Sequence, residues 1–280
     1  MRPAQFLPGL ALALLAALPA RADCPVPAAI DALAADILAR RPATAPEVTT
    51  MADALCAQGL LVERLSAAWG APAGYKAGLT SKPAQDAFGV TEPVRGVLFS
   101  AMFLPAGSRV PAAYGTVPRY ESDLIATVAS AEVNAATTPA EVLAALQSVT
   151  PFVELADLVV ADPRSLTGPK ITAINVGARL GVLGDPVPAT APGLLEALGS
   201  MTVTVAEAGG AVLAQAPGQA ILGHPLNAVL WLRKAGVTFA PGDRISLGSF
   251  GPPMTPAAGQ TVTVTWAGLP GDPQVTLGFD

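Results

Sequence analysis

Pro118-Arg119-Tyr120-Glu121-Ser122-Asp123, followed about thirty residues later by Phe152-Val153-Glu154-Leu155-Ala156-Asp157, reads as two β-strands that carry acids into an apolar setting. Residues two apart on a strand share a face, so Glu121 and Asp123 project together and Glu154 reaches in from the second strand. Three hard oxygen donors suit Mg²⁺ or Mn²⁺, which bind through a few carboxylates and keep positions open for other oxygens. A solvated strand face has the same spacing, so spacing alone leaves both readings open.

Outward from these strands, the chain beyond Gly70 is a series of short alternating segments bounded by Gly and Pro, the pattern of a β-rich domain. Expected strands include Tyr75–Gly78, Val97–Phe99, Tyr120–Ala129, Pro151–Val160 and Gly177–Leu183. Met201–Val205 and Ala211–Gln215 flank Gly209-Gly210 as a hairpin, and Arg244–Leu247, Thr261–Trp266 and Val275–Phe279 show the clearest two-residue period. Helices are expected over Pro139–Ser148 and Pro225–Ala235. Before Gly70, Ile30, Leu33 and Ile37 recur at helical spacing, and Thr49 or Thr50 can cap a second helix from Met51 to about Ala68. The result is an α+β fold with a large mixed, coiled sheet and an N-terminal helical hairpin: residues 23–70 helical, 71–280 the β-rich catalytic domain.

Residues 1–22 read as a cleavable signal peptide: Met1-Arg2, an apolar run from Phe6 to Ala20, then Ala20-Arg21-Ala22 as a small-x-small site. Pro8, Pro19 and the shortness of the run argue against a stable membrane anchor. The expected location is periplasmic or secreted. Cys24 and Cys56 are the only cysteines, and an even pair in an oxidising compartment reads as one disulfide. Without Arg2 and Arg21 the chain carries 14 basic against 21 acidic residues, a net charge of −7, which makes nucleic acid an improbable partner.

Six blocks occur in a characteristic order: Gly74-Tyr75-Lys76-Ala77-Gly78-Leu79-Thr80-Ser81, Gly96-Val97-Leu98, Pro118 to Asp123, Val153 to Asp157, Leu222-Gly223-His224-Pro225-Leu226 and Gly248-Ser249-Phe250. Together they resemble the 2-keto-4-pentenoate hydratases, which with the 4-oxalocrotonate decarboxylases belong to the fumarylacetoacetate hydrolase superfamily. The resemblance implies a fumarylacetoacetase C-terminal-like fold, a divalent metal (Mg²⁺ or Mn²⁺), small 2-oxo acid substrates and a homo-oligomer. It places the metal ligands at Glu121, Asp123 and Glu154, where Asp123 replaces a glutamate with a shorter arm. It gives Lys76 the catalytic role of carboxylate anchor or proton handler, and makes Asn175 and Ser249 substrate contacts.

Two departures bear on the chemistry. Ile174-Asn175-Val176-Gly177 stands where these hydratases usually carry Asp-Asn-Ala-Ser, and Gly251 stands where a threonine often follows the Gly-Ser pair. His224, the only histidine, precedes a helix and reads as a group satisfying that helix start, so the His-centred dyad of the superfamily's C–C hydrolases is missing. Asp157 reads as a structural hydrogen-bond acceptor. The expected activity is metal-dependent hydration of a small 2-oxo or 2-hydroxydienoate acid such as 2-keto-4-pentenoate. Its rivals are decarboxylation or isomerisation on the same centre, and an exported binder of 2-oxo acids or metal without turnover.

Overall fold

The computed structural model describes residues 23–280, so the signal segment expected at 1–22 lies outside the described residues. Thirteen strands follow in chain order: β1 (Pro72–Gly78), β2 (Val94–Phe99), β3 (Phe103–Pro105), β4 (Arg109–Val110), β5 (Pro118–Val128), β6 (Leu146–Asp157), β7 (Leu180–Leu183), β8 (Val187–Pro188), β9 (Thr202–Glu207), β10 (Val212–Pro217), β11 (Arg244–Ser246), β12 (Thr261–Ala267) and β13 (Gln274–Phe279). The first sheet runs β2-β1-β11-β5-β6-β7-β3, with β8 also paired to β6; the second runs β10-β9-β12-β13-β4. Both are mixed, since β1–β11, β3–β7 and β13–β4 are parallel and the other pairs antiparallel. The Gly209-Gly210 hairpin joins β9 to β10 as expected.

The first sheet is covered on both faces, which explains why β5 and β6 are almost continuously buried although they carry Glu121, Asp123 and Glu154. Leu124, Leu155 and Val153 face the second sheet in a core with Trp266, Val264 and Leu277. Ile125 and Phe152 face the other way and pack with helical residues such as Ile30, Leu61 and Ile171. Residues 23–70 therefore share a core with the sheet.

Helix α1 (Pro27–Leu38) starts on a proline, whose fixed φ suits a first helical position, and buries Ile30, Leu33, Ala34 and Ile37. Helix α2 (Met51–Trp69) is capped by Thr50, whose hydroxyl accepts from the Asp53 amide at 3.1 Å. Cys24 is bonded to Cys56 of α2, their Cα atoms 5.5 Å apart, and the Asp23 amide donates to Asp53 Oδ1 at 2.7 Å. The remaining helices are α3 (Lys82–Ala87), α4 (Pro139–Ala144), α5 (Gly168–Ala173), α6 (Leu194–Ser200) and α7 (Asn227–Lys234). The helix expected over Pro139–Ser148 stops at Ala144, because from Leu146 onward the backbone pairs with β5 and the β-branched Val149 and Thr150 join that ladder.

Candidate active site

Strands β5 and β6 pair in a register that sets Glu121 opposite Glu154, Asp123 opposite Phe152 and Arg119 opposite Ala156. Alternation then puts Arg119, Glu121 and Asp123 on the helix-facing side of the sheet, the side on which Phe152 is packed. Lys76 reaches the same side from β1. Its Nζ pairs with Glu154 Oε1 and donates to the Val176 carbonyl at 3.2 Å. Lys76 is 4% and Glu154 3% exposed, so this ion pair is removed from water. Room for the lysine comes from Gly96 on β2, where a Cβ would stand 2.9 Å from Lys76 Cγ and 3.0 Å from the Asn175 carbonyl.

Lys76, Arg119, Glu121 and Glu154 form the floor of a cavity of about 550 Å³ whose walls are apolar, among them Leu79, Phe88, Leu158, Ile171, Val176 and Pro252. Burial pushes the Glu121 carboxyl up from 4.5 to about 7, and the neighbouring Glu154 charge adds to this, while Lys76 and a hydrogen bond with Ser249 act the other way. Burial, then Glu154, also holds the Asp123 carboxyl well above the usual range, against Ser246, the Leu124 amide and Lys76. Three acids thus face one ammonium. Negative charge left uncompensated in a low dielectric is what a divalent cation relieves, and Glu121 and Glu154 offer it the hard oxygens it prefers.

Asp123 does not join them at the cavity. Its Oδ2 accepts from Ser246 Oγ and its Oδ1 from the Gly248 amide at 2.9 Å and from the Leu124 amide. Among the described residues no group of three Asp, Glu, His or Cys side chains stands ready to hold one ion. Of the three expected ligands, Glu121 and Glu154 stand at the cavity, while the oxygens of Asp123 are turned to Ser246, Gly248 and Leu124.

Asn175, expected as a substrate contact, is bound to β2. Its Oδ1 accepts from the Val97 amide at 2.8 Å and its Nδ2 donates to the Val97 carbonyl at 2.9 Å, so the amide continues the edge of β2. Ile174 lies in the helical-side core, so the acid missing there is not missing from the cavity wall. Asn175, Val176 and Gly177 all take left-handed φ, at 58°, 53° and 65°. For a β-branched valine this is strained, and the strain turns the Val176 carbonyl onto Lys76. Ser249 does line the cavity, with its hydroxyl donating to the Gly251 carbonyl at 2.8 Å.

His224 behaves as the sequence indicates: its Nδ1 accepts from the Leu226 amide at 3.2 Å and Nε2 lies 3.0 Å from the Leu195 carbonyl. The Asp157 carboxylate accepts from the amides of Thr116, Val117 and Val159, a structural role. Two site residues escaped the sequence reading. Arg119 lines the cavity and has no carboxylate partner among the described residues, its guanidinium donating to the Pro118 carbonyl at 2.8 Å. Its parity with Glu121 was the available signal. Ser246, the partner of Asp123, sits in an ordinary strand and carried none.

Two mixed sheets with a helical layer over one face are shared with 4-oxalocrotonate decarboxylase from Pseudomonas putida G7, solved with magnesium and adipate, at TM-score 0.77 and 23% identity over 91% of this chain and 97% of that one. Fumarylpyruvate hydrolase from Pseudomonas aeruginosa, solved with Mn²⁺ and pyruvate, matches at TM-score 0.57 and 13% identity, covering 74% of this chain and 89% of its own. The fold is that of the fumarylacetoacetate hydrolase superfamily. No family model matches the chain. Among curated relatives, 2-hydroxypent-2,4-dienoate hydratase of Pseudomonas putida is 32% identical over 173 residues, 61% of this chain and 76% of its own length. The 2-keto-4-pentenoate hydratase of Burkholderia vietnamiensis is 32% identical over 203 residues, 70% of this chain and 74% of its own. The chain belongs to the 2-keto-4-pentenoate hydratase family.

Proposed function

We propose that this protein is a divalent-metal-dependent lyase that hydrates a small 2-oxo or 2-hydroxydienoate acid of the 2-keto-4-pentenoate kind. The observation that carries the reading is the convergence of Lys76, Glu121 and Glu154, from three strands, on the floor of one apolar-walled cavity. The relatives just described are named for this chemistry. Glu121 and Glu154 would hold the metal, which when bound supplies positive charge against an oxygen that turns enolate-like.

The chain's own groups then have separable tasks. A proton moved from C3 to C5 brings the double bond into conjugation with the 2-oxo group. Water oxygen next bonds C4 while C3 takes a proton, leaving a 4-hydroxy-2-oxo acid. Lys76 holds the mobile proton at Nζ, which the Val176 carbonyl and Glu154 fix in direction. Ser249 lines the cavity beside Glu121, with its hydroxyl donating to the Gly251 carbonyl. The apolar walls receive the carbon chain and limit bulk water at the floor. The test follows loss of dienol absorbance and, by NMR, deuterium exchange at C3, with Mg²⁺ or Mn²⁺, with chelator, and in Lys76→Ala. A metal-dependent signal lost in the variant supports the reading, and silence in both channels across a panel of 2-oxo acids removes it.

Arg119 favours a second reading. A guanidinium on the cavity face, two residues from Glu121 and without an acidic partner among the described residues, would receive a second carboxylate. Loss of that carboxylate as CO₂ would leave its electron pair on the same enolate. Release of CO₂ from a 2-oxo-diacid, without hydration of the monoacid, distinguishes the two.

Export belongs to the proposal, supported by the signal-like residues 1–22 and by the bonded Cys24 and Cys56. No helix among the described residues is long and apolar enough to cross a membrane. Assembly as a homo-oligomer is proposed from the family resemblance and is read by light scattering on the eluted protein.

A further inference from the structure

Asp123 differs from the two glutamates in what already holds it. It is fully buried, and three donors converge on its two oxygens: the Ser246 hydroxyl on β11, the Gly248 amide just beyond it and its neighbour's amide at Leu124. These three contacts take up most of the hydrogen-bonding capacity of the carboxyl group inside the protein. Ser246 is itself fully buried and aligned with Ile125, two residues past Asp123, so a longer glutamate arm would run past the hydroxyl that the aspartate meets. Gly248 has φ +115°, and a Cβ there would stand 2.3 Å from Thr80 Oγ1, so the turn that aims its amide at Asp123 requires glycine.

From these contacts we infer that Asp123 is a positioning clamp rather than a metal ligand. Its carboxylate staples β5 to β11 and to the Gly248-Ser249 turn that forms one cavity wall, and the metal centre has two protein carboxylates, Glu121 and Glu154. This rests on the reading of those glutamates as the donors. A centre with one fewer protein ligand keeps one more position open for water or for a substrate oxygen.

Two measurements separate the clamp from a ligand. In metal-free protein, Ser246→Ala and Asp123→Asn should each lower Tm by roughly 3–10 °C, as expected when a buried polar group loses its hydrogen-bond partner in a domain of this size. In Mn²⁺-loaded protein, deuterium spin-echo modulation in D₂O counts the waters on the ion: Asp123→Asn should match the wild type, and Asp123→Glu, with its arm lengthened, should lose one. A water gained in Asp123→Asn makes Asp123 a ligand and overturns the inference, as does a metal-free Tm unchanged in both variants. If the wild type binds no Mn²⁺, the two-glutamate centre falls together with the proposed function, and the clamp is decided by the metal-free melting shift alone.

Discussion

Glu121 and Glu154 face each other across the β5–β6 ladder, two carboxylates at one register position, and the single ammonium beside them, that of Lys76, is paired with the second. Like charges opposed on a sheet repel, and burial removes the water that would screen them. The structure answers by raising Glu121 to about 7. A carboxyl whose folded value lies above its unfolded one contributes stability that is fully present below about pH 4.5 and lost as pH rises through about 7. Metal-free protein should therefore lose stability, by up to about 3 kcal/mol in the linkage limit, as pH rises from about 4.5 through about 7, with Tm falling accordingly. Saturating Mg²⁺ or Mn²⁺ should restore the loss at the alkaline end, where the site is ionised. Melting curves over that range, with chelator and with metal, check both halves. In Glu121→Gln the metal response should disappear and the slope should shrink to the part that Asp123, also raised by burial, supplies.

Lys76 should be the least replaceable residue of the site. Removing one partner of a buried ion pair leaves the other charge unpaired, so Lys76→Met should cost about 3–5 kcal/mol of stability in the metal-free protein. Adding the second change, Glu154→Gln, should recover part of that cost, because the uncompensated charge is then gone. Urea titration of the two single variants and the double variant gives the coupling directly. Turnover should be lost in all three.

The β-rich architecture was legible because strand alternation and Gly/Pro punctuation survive in β1, β5, β6, β9 to β13, and because Thr50 and the Ile30, Leu33 and Ile37 spacing mark the helical hairpin. Helices α3, α5 and α6, of six or seven residues, were not, since fewer than two turns cannot display a period. Within the site, Lys76, Glu121, Glu154 and Ser249 could be placed from their blocks. Asn175 could not: a side chain used as a backbone surrogate for Val97 and one offered to a ligand have the same letter. The retreat of Asp123 depends on Ser246, which is 123 residues away in sequence and meets it only through the β11–β5 pairing.

The bond between Cys24 and Cys56 leads to a prediction about processing. A chain exported and cut after Ala22 begins at Asp23, and its intact mass should lack two thiol hydrogens. In the chain-entropy account the crosslink stabilises by about 3–4 kcal/mol for a loop of this length, so reduction should lower Tm by several degrees without affecting the cavity, whose residues all lie beyond the tied segment. Peptide mapping of periplasmic protein checks this. Two freely alkylated thiols on an uncleaved chain would count against both export and pairing.

Arg119, in its proposed role of selecting the carboxylic acid that the cavity takes, can be tested directly. On the cavity face of β5 it stands two residues from Glu121, roughly 7 Å along the strand, a spacing that a short diacid could bridge with one carboxylate at each end. If the natural substrate carries a second carboxylate, Arg119→Met should raise KM for the diacid about tenfold or more and leave the monoacid nearly unchanged, since a charge-assisted hydrogen bond of about 1.5–3 kcal/mol is lost from only one of them. If the substrate is a monoacid with an apolar tail, the same change adds apolar surface to a wall already lined by Leu158 and Phe88, and KM for the monoacid should hold or fall. Steady-state kinetics of the wild type and Arg119→Met on a matched pair, a 2-hydroxydienoate and its ω-carboxylated analogue, separate these outcomes. A KM raised equally for both would place Arg119 at the shared 1-carboxylate instead.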